Sequence, residues 1–248
     1  MSGKLANQLR EGTKKSHSLA ENVAFVQCFL KGAVERNSYR QLLGNFYFVY
    51  LTLENQLKSL RNHSIVGQLY FPELHRQSSL EKDLSYYWGP HWSQTVKPST
   101  ATHHYINRIQ EVATSEPSLL VAHSYTRYLG DLSGGQILKK IAQRGMNLPP
   151  NQGTHFYDFQ DIPNPKAFKA QYRNALDNLP LAAGMTAQVV DEANFAFKLN
   201  MALFQELEGS LIKAIGQLLF NNLTFNRNKR RSQWPSELDD AATLQPQD

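Results

Sequence analysis

A single cysteine, Cys28, in 248 residues excludes an internal disulfide and any metal or iron–sulfur centre built from cysteines. Long apolar runs are missing too. The nearest approach, Leu211–Phe225, is broken by Lys213, Gln217 and two asparagines, and nothing reaches the roughly 18 apolar residues of a membrane-spanning helix. The opening MSGKLANQLREGTKK lacks the apolar centre of a signal peptide. No segment alternates apolar and polar residues over a useful strand length, and no period repeats. There is no Glu-x-x-His pair of the kind that holds two metals in a helical bundle. These absences predict a soluble, cytoplasmic, all-α chain with no membrane partner.

Charge is present in excess of one sign: 26 Lys and Arg against 21 Asp and Glu, a net +5. That favours acidic partners without naming one. Part of the excess is the run NRNKRR at 226–231. A solvated, flexible tail accounts for this run as well as nucleic acid would, and no nucleic-acid partner is expected. The tail from 226 to 248 is basic, then acidic and polar, with Pro235 and Pro246 and no apolar period. It is expected to be disordered, leaving one domain over 1–225.

Within that domain apolar residues recur at helical spacing. A first helix is expected through Leu5, Leu9, Ala20 and Ala24 to about Leu30, and a second, rich in Phe and Tyr, over Tyr39–Leu60. Gln77–Trp88 is a third, ended by WGPHW, and Thr100–Ala113 a fourth. A glycine-bearing helix should follow from about Pro117 to Arg144. Asn164–Pro165 supplies an N-cap and a first-turn proline for a helix to about Leu179. The last runs from Thr186 to about Phe220.

The glycine-bearing helix carries the puzzle. In YTRYLGDLSGGQILKKIAQ, residues 125–143, Gly130, Gly134 and Gly135 interrupt an amphipathic pattern, each costing about 1 kcal/mol relative to alanine inside a helix. Gly130 and Gly134 share a stripe with Ile137, Leu138 and Ile141, expected to face inward; Asp131 and Gly135 lie about 100° further round. A phosphate-binding loop does not fit, because no strand precedes the glycines, no Lys-Ser/Thr follows them, and Asp131 would repel a phosphate. A second helix packed closely on the glycines is one reading. A flat ligand lying against the bare backbone is the other, and it gives Asp131 and Ser133 a place at its border.

A metal-bound planar ligand needs a donor on its opposite face, commonly histidine. Of the eight histidines, His63, His75, His91 and His155 sit in loop-like contexts, His103 and His104 face apart, and His123 shares the glycine helix. His17 differs: its helical neighbours Thr13, Lys14, Ala20 and Glu21 are small or polar and leave room for a disc. Glu21 can orient the ring through its far nitrogen, and Arg10 and Lys14 place cations beside the same face, suited to a disc with carboxylate arms such as heme. A hydrogen-bonded structural histidine remains the alternative at this point.

The segments HSLAEN (17–22), AHSYTRYLGDLSGGQILKKIAQ (122–143) and FKAQYRNALDNLP (168–180) closely resemble heme oxygenases, particularly the soluble cyanobacterial and plastid form, and the similarity runs in order through most of 1–225. The resemblance implies an all-α fold with heme b, both substrate and cofactor, held between a proximal helix and a kinked distal helix. It implies His17 as the iron ligand with Glu21 orienting it, and Gly130, Gly134 and Gly135 as the distal backbone over the ring. Arg10, Lys14, Tyr125, Lys169 and Arg173 match propionate-holding positions, and Phe197 and Asn200 match pocket positions. Asp131 matches the carboxylate that organises distal water and supplies a proton to the reacting dioxygen. The implied reaction opens heme with dioxygen and reducing equivalents to biliverdin, ferrous iron and carbon monoxide. The implied electron donor is reduced ferredoxin, an acidic protein, and the product would pass to a biliverdin-consuming reductase of bilin pigment synthesis. A carrier or sensor that binds heme without degrading it is the alternative on the same fold.

Overall fold

The computed structural model describes the backbone of residues 4–231 and the side chains of residues 4–208. Ten α-helices follow one another among the described residues: α1 (Leu5–Glu21), α2 (Ala24–Leu30), α3 (Arg36–Ser59), α4 (Gln77–Trp88), α5 (Trp92–Thr95), α6 (Thr100–Ser115), α7 (Leu120–Ser124), α8 (Gly130–Gly145), α9 (Pro165–Asp177) and α10 (Met185–Arg231). Between α7 and α8 the chain makes a π-helical turn over Tyr125–Leu129. No helix among the described residues is long and apolar enough to cross a membrane.

Local chemistry sets several boundaries. The Glu35 carboxylate accepts from the N–H of Asn37 (2.7 Å) and Ser38 (2.6 Å) and starts α3 three residues before the expected Tyr39. Ser99 caps α6 through the N–H of Thr102 at 3.2 Å. Asn164 caps α9 through that of Ala167 at 3.0 Å, with Pro165 at the first position as expected.

Two further boundaries differ from the sequence reading. The first expected helix is two, because Val23 is extended (φ −60°, ψ 134°). The buried face of α1 carries Leu5, Leu9, Thr13 and Ala20. An unbroken helix would next turn Ala24 inward, whereas the break sends Phe25 and Phe29 into the core. The last helix runs to Arg231, past both the expected end near Phe220 and the domain boundary at 225, so NRNKRR is its final turn and a half. The remainder of the tail expected to be disordered, 232–248, lies outside the described residues.

The core is built around α3, α6 and α10. Tyr39, Leu43, Tyr50 and Leu53 from α3 pack with Tyr105 and Ile109 from α6, all fully buried. Helix α10 packs against α1, α2, α3, α6 and α7. Its seam with α1 is close because Gly12 has no side chain: a Cβ there would lie 2.5 Å from Val190 Cγ1. Asn194 reinforces the seam, its amide donating to the Gly12 carbonyl at 3.2 Å and its oxygen accepting from Ser16 Oγ at 2.6 Å.

Candidate active site

A cavity of about 1000 Å³ lies between α1 on one side and the turn–α8 segment on the other. Helix α1 contributes Arg10, Thr13, Lys14, His17 and Glu21; the opposite wall contributes Tyr125, Gly130, Asp131 and Gly134. Arg173, Phe197 and Asn200 complete the set of expected residues that line it.

The glycines divide. A Cβ built on Gly130 or Gly134 meets nothing within 4 Å, so both present bare backbone to the cavity. Neither has positive φ, and the missing side chain, not backbone freedom, is what distinguishes them from alanine here. Gly135 points elsewhere: its Cβ would touch Tyr157 at 3.5 Å, and it is buried against that ring rather than lining the cavity. The stripe expected to face inward is also split, with Leu138 in the cavity wall and Ile137 at the mouth, 63% exposed.

A π-helical turn interrupts the helix just before the glycines. The π-helical turn displaces the register of α8 just before Gly130, and such turns bend helices. Ser124 fixes the segment on one side by a 2.7 Å bond with the buried Tyr172 hydroxyl. On the other side Gln136 donates to the Tyr157 carbonyl (3.0 Å) and Lys139 pairs with Asp158 (2.6 Å).

On the α1 side, His17 is exposed, its ring edge-on to Phe197 at 5.7 Å. Its Nδ1 faces Glu21 Oε1 at 3.6 Å, an ion-pair separation longer than a hydrogen bond. Tyr125 sits beside Thr13 and in the field of Arg173 and Arg10; burial raises its pKa, and those three neighbours oppose the rise. Lys169 is on the rim outside the cavity lining, its Nζ 3.5 Å from Ser133 Oγ.

The polar end of the cavity holds a network that the sequence did not reveal. Asp131 Oδ2 accepts from the Tyr50 hydroxyl, and its Oδ1 lies 3.6 Å from Arg127 Nη2. Arg127 donates to Tyr50 through Nε (2.9 Å) and to Asn200 Oδ1 through Nη1 (2.5 Å), its plane over Phe46 at 4.3 Å. Asn200 is buried and donates onward to the Ala196 carbonyl at 2.9 Å. Burial pushes the Asp131 carboxyl above its usual range, the Arg127 charge and the Tyr50 hydrogen bond only partly offsetting it. Burial also raises Tyr50 well above an ordinary phenol. A carboxyl poised in this way can hold a proton beside a side-chain-free surface and release it.

The heme oxygenase family profile matches residues 3–206. The chain belongs to the heme oxygenase family. Heme oxygenase 1 of Synechocystis sp. is 58% identical over 238 residues, 96% of this chain and 97% of that protein. The heme oxygenase of Porphyra purpurea is 52% identical over 223 residues, 90% and 94% of the two chains. Among solved structures, Synechocystis heme oxygenase-1 in complex with heme matches with a TM-score of 0.87 at 59% identity, over 89% of this chain and 100% of that one. Heme oxygenase-2 from the same organism, in complex with heme and NO, gives 0.85 at 47%, over 90% and 92%. The chain is a heme oxygenase, an enzyme of heme degradation with the all-α fold of that family; the carrier or sensor alternative is not favoured.

Proposed function

We propose that the cavity takes heme b, as substrate and cofactor, with His17 as the iron ligand, and that the chain opens it to biliverdin, ferrous iron and carbon monoxide. The observation that carries this reading is the pairing of two bare backbone positions, Gly130 and Gly134, with an imidazole on the opposing helix and a largely buried carboxyl, Asp131, beside them. The residues present fit the group: the slot is lined by Phe25, Phe29, Phe46 and Leu138, and its rim carries Lys14, Arg173 and Arg10, the last paired with Glu11 at 2.8 Å.

Bound heme supplies the iron at which dioxygen is activated. The chain supplies the rest. Arg10, Lys14, Arg173 and Tyr125 hold the carboxylate arms by charge and hydrogen bonding, with Lys169 beside them on the rim, and so fix which edge of the ring faces the reacting space. Gly130 and Gly134 keep side chains out of that space. Asp131 passes a proton through water rather than by direct contact, while Tyr50 and Arg127 fix its two oxygens. Asn200 in turn positions Arg127, and Phe197 packs on the His17 ring.

Electrons come from reduced ferredoxin, an acidic protein whose approach suits the net +5 charge of the chain. The enzyme works in the cytoplasm, and its product feeds a biliverdin-consuming reductase of bilin synthesis.

The test is a spectrum of the purified protein with an equivalent of hemin, then with ferredoxin, its reductase and NADPH in air under catalase. Loss of the Soret band with growth of biliverdin absorbance supports the reading. A Soret band that persists, while a known heme oxygenase turns over in the same mixture, overturns it.

A further inference from the structure

A file of tyrosines runs from the wall of the cavity to the surface. Tyr157, buried against Gly135, lines the cavity. Tyr39 of α3 comes next. It is fully buried, and its hydroxyl and that of Tyr157 are neighbours that act on each other's ionisation. The Tyr39 ring meets that of Tyr87 from α4 edge-on with centroids 5.7 Å apart, and Tyr87 meets Tyr86 edge-on at 4.9 Å. Tyr86 is half-buried, and the exposed Arg36 lays its guanidinium over both outer rings at 5.4 Å. A second cavity residue, Phe29, stacks on Tyr39 at 6.0 Å.

Packing alone does not call for hydroxyls here. That of Tyr39 is buried with no hydrogen-bond partner of good geometry among the described residues, a desolvation cost that phenylalanine would avoid. What the hydroxyl adds is chemistry, because a phenol gives up an electron together with its proton far more readily than a plain benzene ring. Asp83 favours that loss. Its carboxyl is fully buried, accepts from the N–H of His155 and of Phe156 at 2.8 Å, pairs with His155 Nδ1 at 2.8 Å, and acts on Tyr39, Tyr87 and Tyr157 alike. A negative charge in a low-dielectric interior stabilises a neighbour from which an electron is leaving.

We propose that these tyrosines carry oxidising equivalents out of the slot to Tyr86, sparing heme and pocket when activated oxygen fails to attack the ring. This rests on the heme reading above. A peroxide whose oxygen does not end on the ring breaks its O–O bond and takes up two electrons and two protons, giving water and, from an alkyl peroxide, an alcohol. Tyr157 supplies each electron and proton. Tyr39 restores them to Tyr157, Tyr87 to Tyr39, and Tyr86 to Tyr87. The phenoxyl radical left on Tyr86 takes a hydrogen atom from a thiol in solution, and the two thiyl radicals so formed join as a disulfide.

The test loads the protein with hemin, adds tert-butyl hydroperoxide and a nitroso spin trap with no thiol present, and maps the trapped tyrosines by peptide mass spectrometry. The parent should carry its adduct on Tyr86 in excess of Tyr47 and Tyr70, which are also half-buried but lie off the path. Tyr39→Phe should bind hemin as the parent does, lose the Tyr86 adduct, and bleach its Soret band faster for the same peroxide. Tyr87→Phe breaks the path nearer the surface; it should show the same loss, and it serves where the buried variant fails to fold. A Tyr86 adduct that survives either substitution, or that is no greater in the parent than those at Tyr47 and Tyr70, overturns the path and leaves the heme site standing. A protein that takes up no hemin overturns both.

Discussion

Replacing Gly134 by alanine should make the heme-free protein more stable and the enzyme worse. A helix-interior glycine costs about 1 kcal/mol relative to alanine, much of it through the freedom of the unfolded chain. Gly134 lies inside α8 without positive φ, and an added Cβ finds no neighbour within 4 Å to clash with. The gain should therefore appear almost undiminished, as about 0.5–1 kcal/mol and a rise of about 1–4 °C in the melting temperature for a chain of this size. The same methyl projects into the slot, where crowding a fitted ligand costs about 1–3 kcal/mol, so heme affinity should fall about fivefold or more. Two neighbours serve as controls. Gly135→Ala should leave heme affinity alone, since its Cβ would rest on Tyr157 at ordinary contact distance. Gly12→Ala should destabilise by about 1–3 kcal/mol, because its Cβ would lie 2.5 Å from the stiff side chain of Val190. Thermal melts without heme and a hemin titration read all four proteins. A Gly134→Ala protein that melts lower without heme, or that binds heme as tightly as the parent, refutes the reasoning.

Asp131→Asn keeps the size of the side chain and should retain heme binding while biliverdin formation falls about 10²–10⁴-fold, the usual contribution of a positioned acid; a yield like the parent's removes the assigned role. His17→Ala should leave the heme-free melting temperature within about 1 °C, its side chain being exposed, yet alter the ferrous–CO spectrum; an unaltered spectrum excludes it as ligand. Glu54 is buried under the start of α4, accepting from the N–H of Arg76 (2.5 Å) and Gln77 (3.3 Å). Burial pushes its carboxyl up to about 7 despite those bonds. A carboxyl raised on folding contributes stability that is full below its unfolded value and lost as pH rises through about 7. Melting temperature should accordingly fall between about pH 4.5 and 7, and Glu54→Gln should flatten the fall; an equal fall in the variant would assign it to other groups.

Helix periodicity made most of the fold legible, and where a cap is local the boundary was legible too, as at Asn164–Pro165. The break at Val23 was not, because it depends on where Phe25 and Phe29 find their partners in three dimensions. The same division runs through the site. His17, Arg10 and Lys14 lie on one face of α1 at helical spacing, and Gly130 and Gly134 on one face of α8, so short-range arithmetic found them. Tyr50, Arg127 and Asn200 come from three different elements and meet only through packing. Arg127, four residues before Asp131, was the one visible hint. The resemblance grouped Gly135 with Gly130 and Gly134, whereas helical spacing set it about 100° round from them, and that rotation turns it from the cavity to Tyr157.

The π-helical turn at Tyr125–Leu129 also has a meaning in chain length. It accommodates one residue more than an α-helix would over the same stretch. Removing that residue would let α7 run into α8 as one regular helix with the flanking turns still in phase, so Gly130 and Gly134 would keep their face but lose the bend that the turn introduces before them. The shortened chain would have the same composition of helix by circular dichroism, and a straighter, more regular rod. One residue of chain length thus sets the course of the glycine-bearing wall.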